Sequence, residues 1–155
     1  MSAAMALGGI GVNEVTEPMI EALNDTDTGV RTTAILALGK IGDRRAVLPV
    51  SEMLGDADSR IRASAASVLG RLGGKEGVEA LISVMTDDDA WVRRMAVEAL
   101  GRIGDGRAIK YLIEALGDRD KAVRANAASA LGEIADPEAI DALLVSLKED
   151  VLKHD

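Results

Sequence analysis

Residues 56–73 read DADSRIRASAASVLGRLG, and the same phrase returns as DTDTGVRTTAILALGKIG at 25–42, DDDAWVRRMAVEALGRIG at 87–104 and DRDKAVRANAASALGEIA at 118–135. The copies stand 31 residues apart without insertion or deletion, and the Leu-Gly pair alone carries the register one step earlier, to Leu7-Gly8. A fixed period between about 20 and 50 residues marks supersecondary units that cannot bury their apolar faces alone and must stack on their neighbours. Within the phrase, Val30, Ala34, Ala37, Leu38 and Ile41 fall at offsets of four, seven, eight and eleven, the stripe of a one-sided helix. We name this helix B. The second Asp of each Asp-x-Asp pair (Asp27, Asp58, Asp89, Asp120) stands where it can cap helix B. Gly39, Gly70 and Gly101 lie inside it, where glycine costs about 1 kcal/mol against Ala. Their return predicts a neighbouring helix too close for a Cβ.

Outward from the phrase, Gly42, Gly73 and Gly104 follow the helix at the C′ position, which favours positive φ. Asp43, Asp105 and Asp136 come next, and Asp136-Pro137-Glu138 reads as an N-cap, a proline at the first helical position and an acid in the first turn. This opens a second helix, A, with apolar positions Val47, Val50 and Leu54 repeated as Val78, Leu81 and Met85, then Ile109, Leu112 and Leu116, then Ile140, Leu143 and Leu147. Pro18 and Pro49 fall inside helix A, where a missing N–H and a ring clash predict a kink or an irregular first turn.

In its Asp-x-Asp-x-x-Val-Arg, Ala-Leu-Gly-x-Ile-Gly and Asp-x-Arg-Ala motifs, kept in register over essentially the whole chain, the sequence resembles the short HEAT-like repeats of the phycobilisome-lyase type and artificial repeat proteins patterned on them. That resemblance implies an all-α fold, an α-α superhelix built as a right-handed solenoid of 31-residue helix pairs. It also implies a structural hydrogen-bonded ladder of Asp25 and Arg31, Asp56 and Arg62, Asp87 and Arg93, Asp118 and Arg124, each pair six residues apart. Fold resemblance says little about activity. It keeps open a subunit of a tetrapyrrole (phycobilin) lyase-like attachment factor, a DNA-binding solenoid and an engineered repeat protein; departures such as Ser51, Gly77 and Ala135 look more like natural drift than design.

The register divides the chain into a half repeat at 1–11, full repeats at 12–42, 43–73, 74–104 and 105–135, and a terminal half repeat at 136–155, all in one domain. Residues 2–10 align with Thr33 to Ile41, the second half of helix B, while Asp136 to about Glu149 forms a last helix A and the residues beyond do not continue the B pattern. Both ends carry core-like residues, Met5, Leu7 and Ile10 at one and Ile140, Leu143, Leu144 and Leu147 at the other, where solenoids normally place polar caps. A fragment of a longer array, natural ends that tolerate exposure, and head-to-tail self-association through the unpaired helices all remain open.

The chain holds 18 basic and 26 acidic residues for a net charge of -8, which argues against nucleic acid and anionic membranes as partners. No Cys occurs, so disulfides and thiolate chemistry are excluded and a cytoplasmic setting is expected. No run is apolar enough to span a bilayer, and no signal segment is evident. Gln is absent and Asn scarce, a weak pointer to thermophily. The one His, His154, stands beside the terminus, so no Ser-His-Asp set can form and no enzyme activity is expected. The iron site of deoxyhypusine hydroxylase, a HEAT-repeat enzyme, uses His-Glu pairs, and none occurs here. Asp87-Asp88-Asp89 lacks the Gly and Glu of a calcium loop, and Gly70 to Gly77 lacks the Gly-Lys-Ser/Thr of a phosphate loop. No cofactor and no metal is expected.

What remains is surface. Helix B positions two, three, six and ten after the Val or Ile differ from copy to copy: Thr32, Thr33, Leu36, Lys40; Ala63, Ser64, Ser67, Arg71; Arg94, Met95, Glu98, Arg102; Ala125, Asn126, Ser129, Glu133. In the resembled family the B helices line the concave face, so these rows, with Arg60 and Trp91 just ahead of them, are expected to form a groove. Solvated drift explains such variation equally well. Trp91, Arg94 and Met95 favour recognition, because Trp and Arg dominate interface hot spots and Met adapts to its partner. The expected function is a non-catalytic scaffold or adaptor binding another protein or an acidic peptide, with Leu36, Lys40, Arg60, Ser64, Ser67, Arg71, Trp91, Arg94, Met95, Glu98, Arg102, Asn126 and Ser129 as the candidate site.

Overall fold

The computed structural model describes residues 11–153, so the half repeat expected at 2–10 and the lone His154 lie outside the described residues. The protein is an all-α solenoid. Helices alternate between two layers. Layer A comprises α1 (Val12–Ala22), α3 (Val47–Glu52), α5 (Val78–Ser83), α7 (Ile109–Ala115) and α9 (Pro137–Lys153). Layer B comprises α2 (Thr28–Ile41), α4 (Ser59–Leu72), α6 (Ala90–Ile103) and α8 (Lys121–Ile134). Each B helix packs on the next, most extensively α4 on α6 and α6 on α8.

Start and stop signals act where the sequence places them. Asp27, Asp58, Asp89 and Asp120 sit in extended conformation and accept the first free N–H groups of α2, α4, α6 and α8. Gly42, Gly73 and Gly104 end α2, α4 and α6 with φ near +70°. Ala135 takes the same place after α8 with φ 52°, a conformation an L residue adopts at a cost of about 1–2 kcal/mol. The interior A helices are less regular than a single amphipathic stripe suggests. Arg44–Ala46, Lys75–Gly77 and Gly106–Ala108 form 3₁₀ turns ahead of α3, α5 and α7. Pro49 then falls in the first turn of α3, where its lost N–H had no helical partner, while α1 runs as α-helix on both sides of Pro18.

Apolar faces of both layers merge into one continuous core. Val50, Leu81 and Leu112 from layer A meet Leu38, Leu69, Leu100 and Leu131 from layer B, all at or near zero exposure. With no Phe and small side chains throughout, the layers close on each other through Ala and Gly. A Cβ built on Gly70 would stand 2.8 Å from the Ala99 Cα, and one on Gly101 would stand 2.6 Å from the Ala130 Cβ. Those two glycines are required by packing, while a Cβ on Gly39 would stand 3.0 Å from the Val68 side chain, a tight contact that a small shift of that valine relieves.

One boundary differs from expectation. α9 runs to Lys153 instead of stopping near Glu149, because Lys148-Glu149-Asp150-Val151 stands where the earlier repeats have Asp-x-Asp after Asn24, Gly55, Thr86 or Gly117 and so supplies neither the stop nor the next cap.

Candidate functional site: the exposed face of the B helices

A rigid frame fixes this face. The first Asp of each turn accepts the N–H of the second, Asp56 from Asp58 at 2.9 Å and Asp118 from Asp120 at 2.8 Å. Its remaining lone pairs face back to the Arg of the preceding repeat. Arg62 grips Asp87 with Nε at 2.9 Å and Nη2 at 3.0 Å, and Arg93 grips Asp118 in the same bidentate way at 2.9 and 3.0 Å. Their third nitrogen, Nη1, donates to the carbonyl of the Asp six residues earlier, Asp56 and Asp87 respectively, at 2.8 Å. The ladder thus joins each turn to its own helix through a backbone carbonyl and to the next repeat through a carboxylate. Arg31 makes a looser rung: Nη2 reaches Asp56 Oδ1 at 3.4 Å, and Nε stands 3.0 Å from Oδ2 out of hydrogen-bond alignment.

Burial alone would push the Asp87 and Asp118 carboxyls up. Hydrogen bonds from Arg62 and Arg93, joined by the N–H groups of Asp89 and Asp120, outweigh it and hold both below the ordinary carboxylate range. The Asp87-Asp88-Asp89 run is spent in the same frame: Asp87 is a rung held by Arg62, the Asp88 carbonyl accepts from Arg93 and Arg119, and Asp89 is a cap. Asp25 accepts from Asp27 at the start of the array, and Arg124 at its far end keeps its bond to the Asp118 carbonyl.

A second set of inter-repeat ties lies at the start of layer A and was not singled out from the sequence. Asp43 takes a side-chain fork from Arg45, its backbone N–H and the buried Thr16 hydroxyl at 3.0 Å, which together keep its carboxyl well below the usual range. Asp105 repeats the arrangement with Arg107 and is lowered to about 2, and that Arg also reaches the Lys75 carbonyl one repeat back. The Asp-x-Arg spacing was the available signal.

On this frame most of the candidate residues form a grid, to which Gly29 and Ala122 are added at the positions of Arg60 and Trp91 and from which Thr32 and Ala125 stand aside. Each B helix exposes four positions at helical spacing: Gly29, Thr33, Leu36, Lys40 on α2; Arg60, Ser64, Ser67, Arg71 on α4; Trp91, Met95, Glu98, Arg102 on α6; Ala122, Asn126, Ser129, Glu133 on α8. All are exposed or half-buried, with Trp91 46% exposed. Arg94 stands beside the grid and is exposed, but its counterpart Ala63 is fully buried. Ala63 therefore leaves the set of outward positions: a small side chain there is absorbed by the close α4–α6 packing, whereas a guanidinium extends past it. Arg60 pairs with Asp58 at 2.8 Å and Arg102 with Glu98 at 3.2 Å. Among the described residues no carboxylate lies within salt-bridge reach of Lys40, Arg71 or Arg94. A shallow recess between α6 and α8 is lined by Glu98, Arg102, Asn126, Ser129 and Glu133. Among the described residues no cluster of His, Asp and Glu suits a metal ion, and no helix is long and apolar enough to cross a membrane.

The profile of HEAT repeats matches residues 1–70, 47–119 and 78–153. The chain belongs to the HEAT-repeat family. No curated protein matches the sequence. Among solved structures, this HEAT-repeat chain is similar to an engineered protein at 26% identity over 99% of its own length and 76% of the other, TM-score 0.68. It is similar to the complex of CpcE and CpcF of phycocyanin lyase from Nostoc sp. PCC7120 at 27% identity, covering 80% and 54%, TM-score 0.70. Human deoxyhypusine hydroxylase shares the fold at 23% identity, covering 83% and 46%, TM-score 0.70. The chain spans about half the length of the last two.

Proposed function

We propose that the protein is a non-catalytic adaptor that binds an extended acidic segment of another protein along the exposed, concave face of layer B. One observation carries this reading: on a chain of net charge -8, Lys40, Arg71 and Arg94 stand on this face with no carboxylate in salt-bridge reach among the described residues, beside Arg60 and Arg102, which pair with Asp58 and Glu98. Segregation of charge against the sign of the whole molecule steers and orients a partner of complementary sign. Trp91 and Met95, in the first two positions of the α6 row, supply an apolar anchor beside the cations. The frame residues repeat while the grid residues differ, as expected when the former hold the fold and the latter select the partner.

An array of extended Asp/Glu-rich peptides and charge-reversed Lys/Arg counterparts tests the reading. The acidic set is expected to be retained with an affinity that falls as salt rises; equal retention of both sets, or preference for the basic one, overturns it. A second reading draws on the likeness to the phycocyanin lyase complex: a subunit of a tetrapyrrole-attachment factor. Transfer of a bilin to an acceptor protein in the presence of this chain would favour it. Duplex DNA bound with steep salt dependence would instead favour a nucleic-acid role for the same cations.

A further inference from the structure

Among the described residues, nothing covers an outer surface of α8 and α9 that resembles an interior layer of the array. Ile140, Leu144, Leu147 and Val151 fall at spacings of four, three and four along one side of α9 and are between 46% and 63% exposed. Ile109, at the repeat position of Ile140, is only 7% exposed. The same holds for the notch in α8. Gly101 and Gly70 each have an alanine of the next B helix pressed against them, whereas nothing stands within 4 Å of where a Gly132 Cβ would be. Inside the array Ile109, Ile113 and Leu116, with Gly101, hold the corresponding positions, while Val151 stands in place of the cap Asp120 and extends the apolar stripe. An exposed apolar surface of this kind marks an interaction site.

The register names what fits. α9 is an A helix, and in this register each A helix is followed by a B helix, so a B helix is what its exposed stripe fits. Residues seated in the filled notches are Val68, Ala99 and Ala130, and each stands immediately before the leucine of its Leu-Gly pair. The corresponding residue of the first Leu-Gly pair is Ala6. Residues 2–10, Ser-Ala-Ala-Met-Ala-Leu-Gly-Gly-Ile, carry the B pattern and no charged side chain, as burial against an apolar stripe requires.

We propose that residues 2–10 of a second copy dock on α8 and α9 with Ala6 over Gly132, so that copies associate head to tail. The contact uses different surfaces on its two sides and therefore propagates instead of closing on itself as a two-fold dimer. Nine residues with small side chains bury little apolar surface, so the association is weak and concentration-dependent. It is independent of the grid on layer B.

The chain has no cysteine, which permits a direct test. Full-length Ala6→Cys and Gly132→Cys proteins, mixed under mild oxidation, are expected to form the mixed disulfide at least tenfold faster than Gly132→Cys mixed with Leu48→Cys, whose exposed side chain lies on layer A. In parallel, sedimentation of the wild-type chain is expected to show mass rising with concentration, and Gly132→Leu, which fills the notch without touching the monomer's core, to need at least tenfold more protein for the same rise. A strictly monomeric wild type at high concentration overturns the proposal. So does equal cross-linking to the Leu48→Cys control, or a disulfide that closes within one chain of the Ala6→Cys/Gly132→Cys double variant.

Discussion

Arg93 and Arg124 hold the same repeat position on neighbouring B helices, yet one is a buried rung gripping Asp118 through two nitrogens and the other keeps only a carbonyl bond at the rim. Gly101 and Gly132 differ in the same way: the first is pinned by Ala130, the second faces open space. Identical residues at the same repeat position thus have opposite energetic meaning, and the difference is whether another repeat lies on top. In a one-dimensional array each unit contributes its own stability plus an interface term with its neighbour. The comparison isolates that interface term, because the local helix is nearly unchanged between the two sites.

The largest effect is expected at the rungs. Arg93→Ala leaves the Asp118 carboxylate half-enclosed and unpaired, and should cost about 3 kcal/mol in chemical denaturation. Arg124→Ala should cost under about 1 kcal/mol, in the range of exposed interactions; equal losses would mean that the ladder does not carry the interface. The same rungs set the acid response. Asp87 and Asp118 titrate lower in the folded chain than in the unfolded one, so their contribution is complete above the unfolded carboxylate value near about pH 4. It fades as pH falls through the folded values, and Arg93→Ala should flatten that part of a stability–pH curve.

Next come the glycines, measured by melting at a dilution that keeps the chain monomeric. Gly101→Ala forces a Cβ against Ala130 and should destabilise by about 1–2 kcal/mol, whereas Gly132→Ala should stabilise by about 1 kcal/mol through helix propensity alone. Destabilisation by both would show that glycine serves the helix itself and not the stacking. The smallest effect is expected at the stop of α8. Ala135→Gly relieves the positive φ that Gly42 and Gly104 accommodate freely, for a gain of about 0.5–1 kcal/mol in the same melting assay.

Repetition made most of this frame legible in the sequence. Caps at Asp58 and Asp89, stops at Gly42 and Gly104, and the close approach at Gly70 and Gly101 each follow from one residue type returning where its chemistry is needed. The ladder was legible as a pair of positions, but its direction, from Arg93 forward to the next repeat's Asp118, depends on how layers stack and has no local signature. Burial of Ala63 was hidden for the same reason, since its counterpart Arg94 is exposed and only the α4–α6 spacing separates them. The 3₁₀ turns before α3 and α5 and the run of α9 to Lys153 were blurred because apolar spacing alone does not fix where a helix tightens or stops. For the grid, the sequence marked which positions vary; the structure leaves most of them exposed or half-buried and buries Ala63, and partner chemistry enters only through their charge.

Arg93 and Arg94 are adjacent on α6, one assigned to the frame and the other to recognition. The most direct measurement is therefore melting and acidic-peptide affinity on one protein, Trp91→Ala with Arg94→Glu, against the wild type. Affinity is expected to fall at least tenfold while the melting temperature stays within about 2 °C, as befits surface changes worth under about 1 kcal/mol. Unchanged affinity, or a melting temperature that drops together with the binding, would contradict the separation of frame from recognition surface on which the account rests.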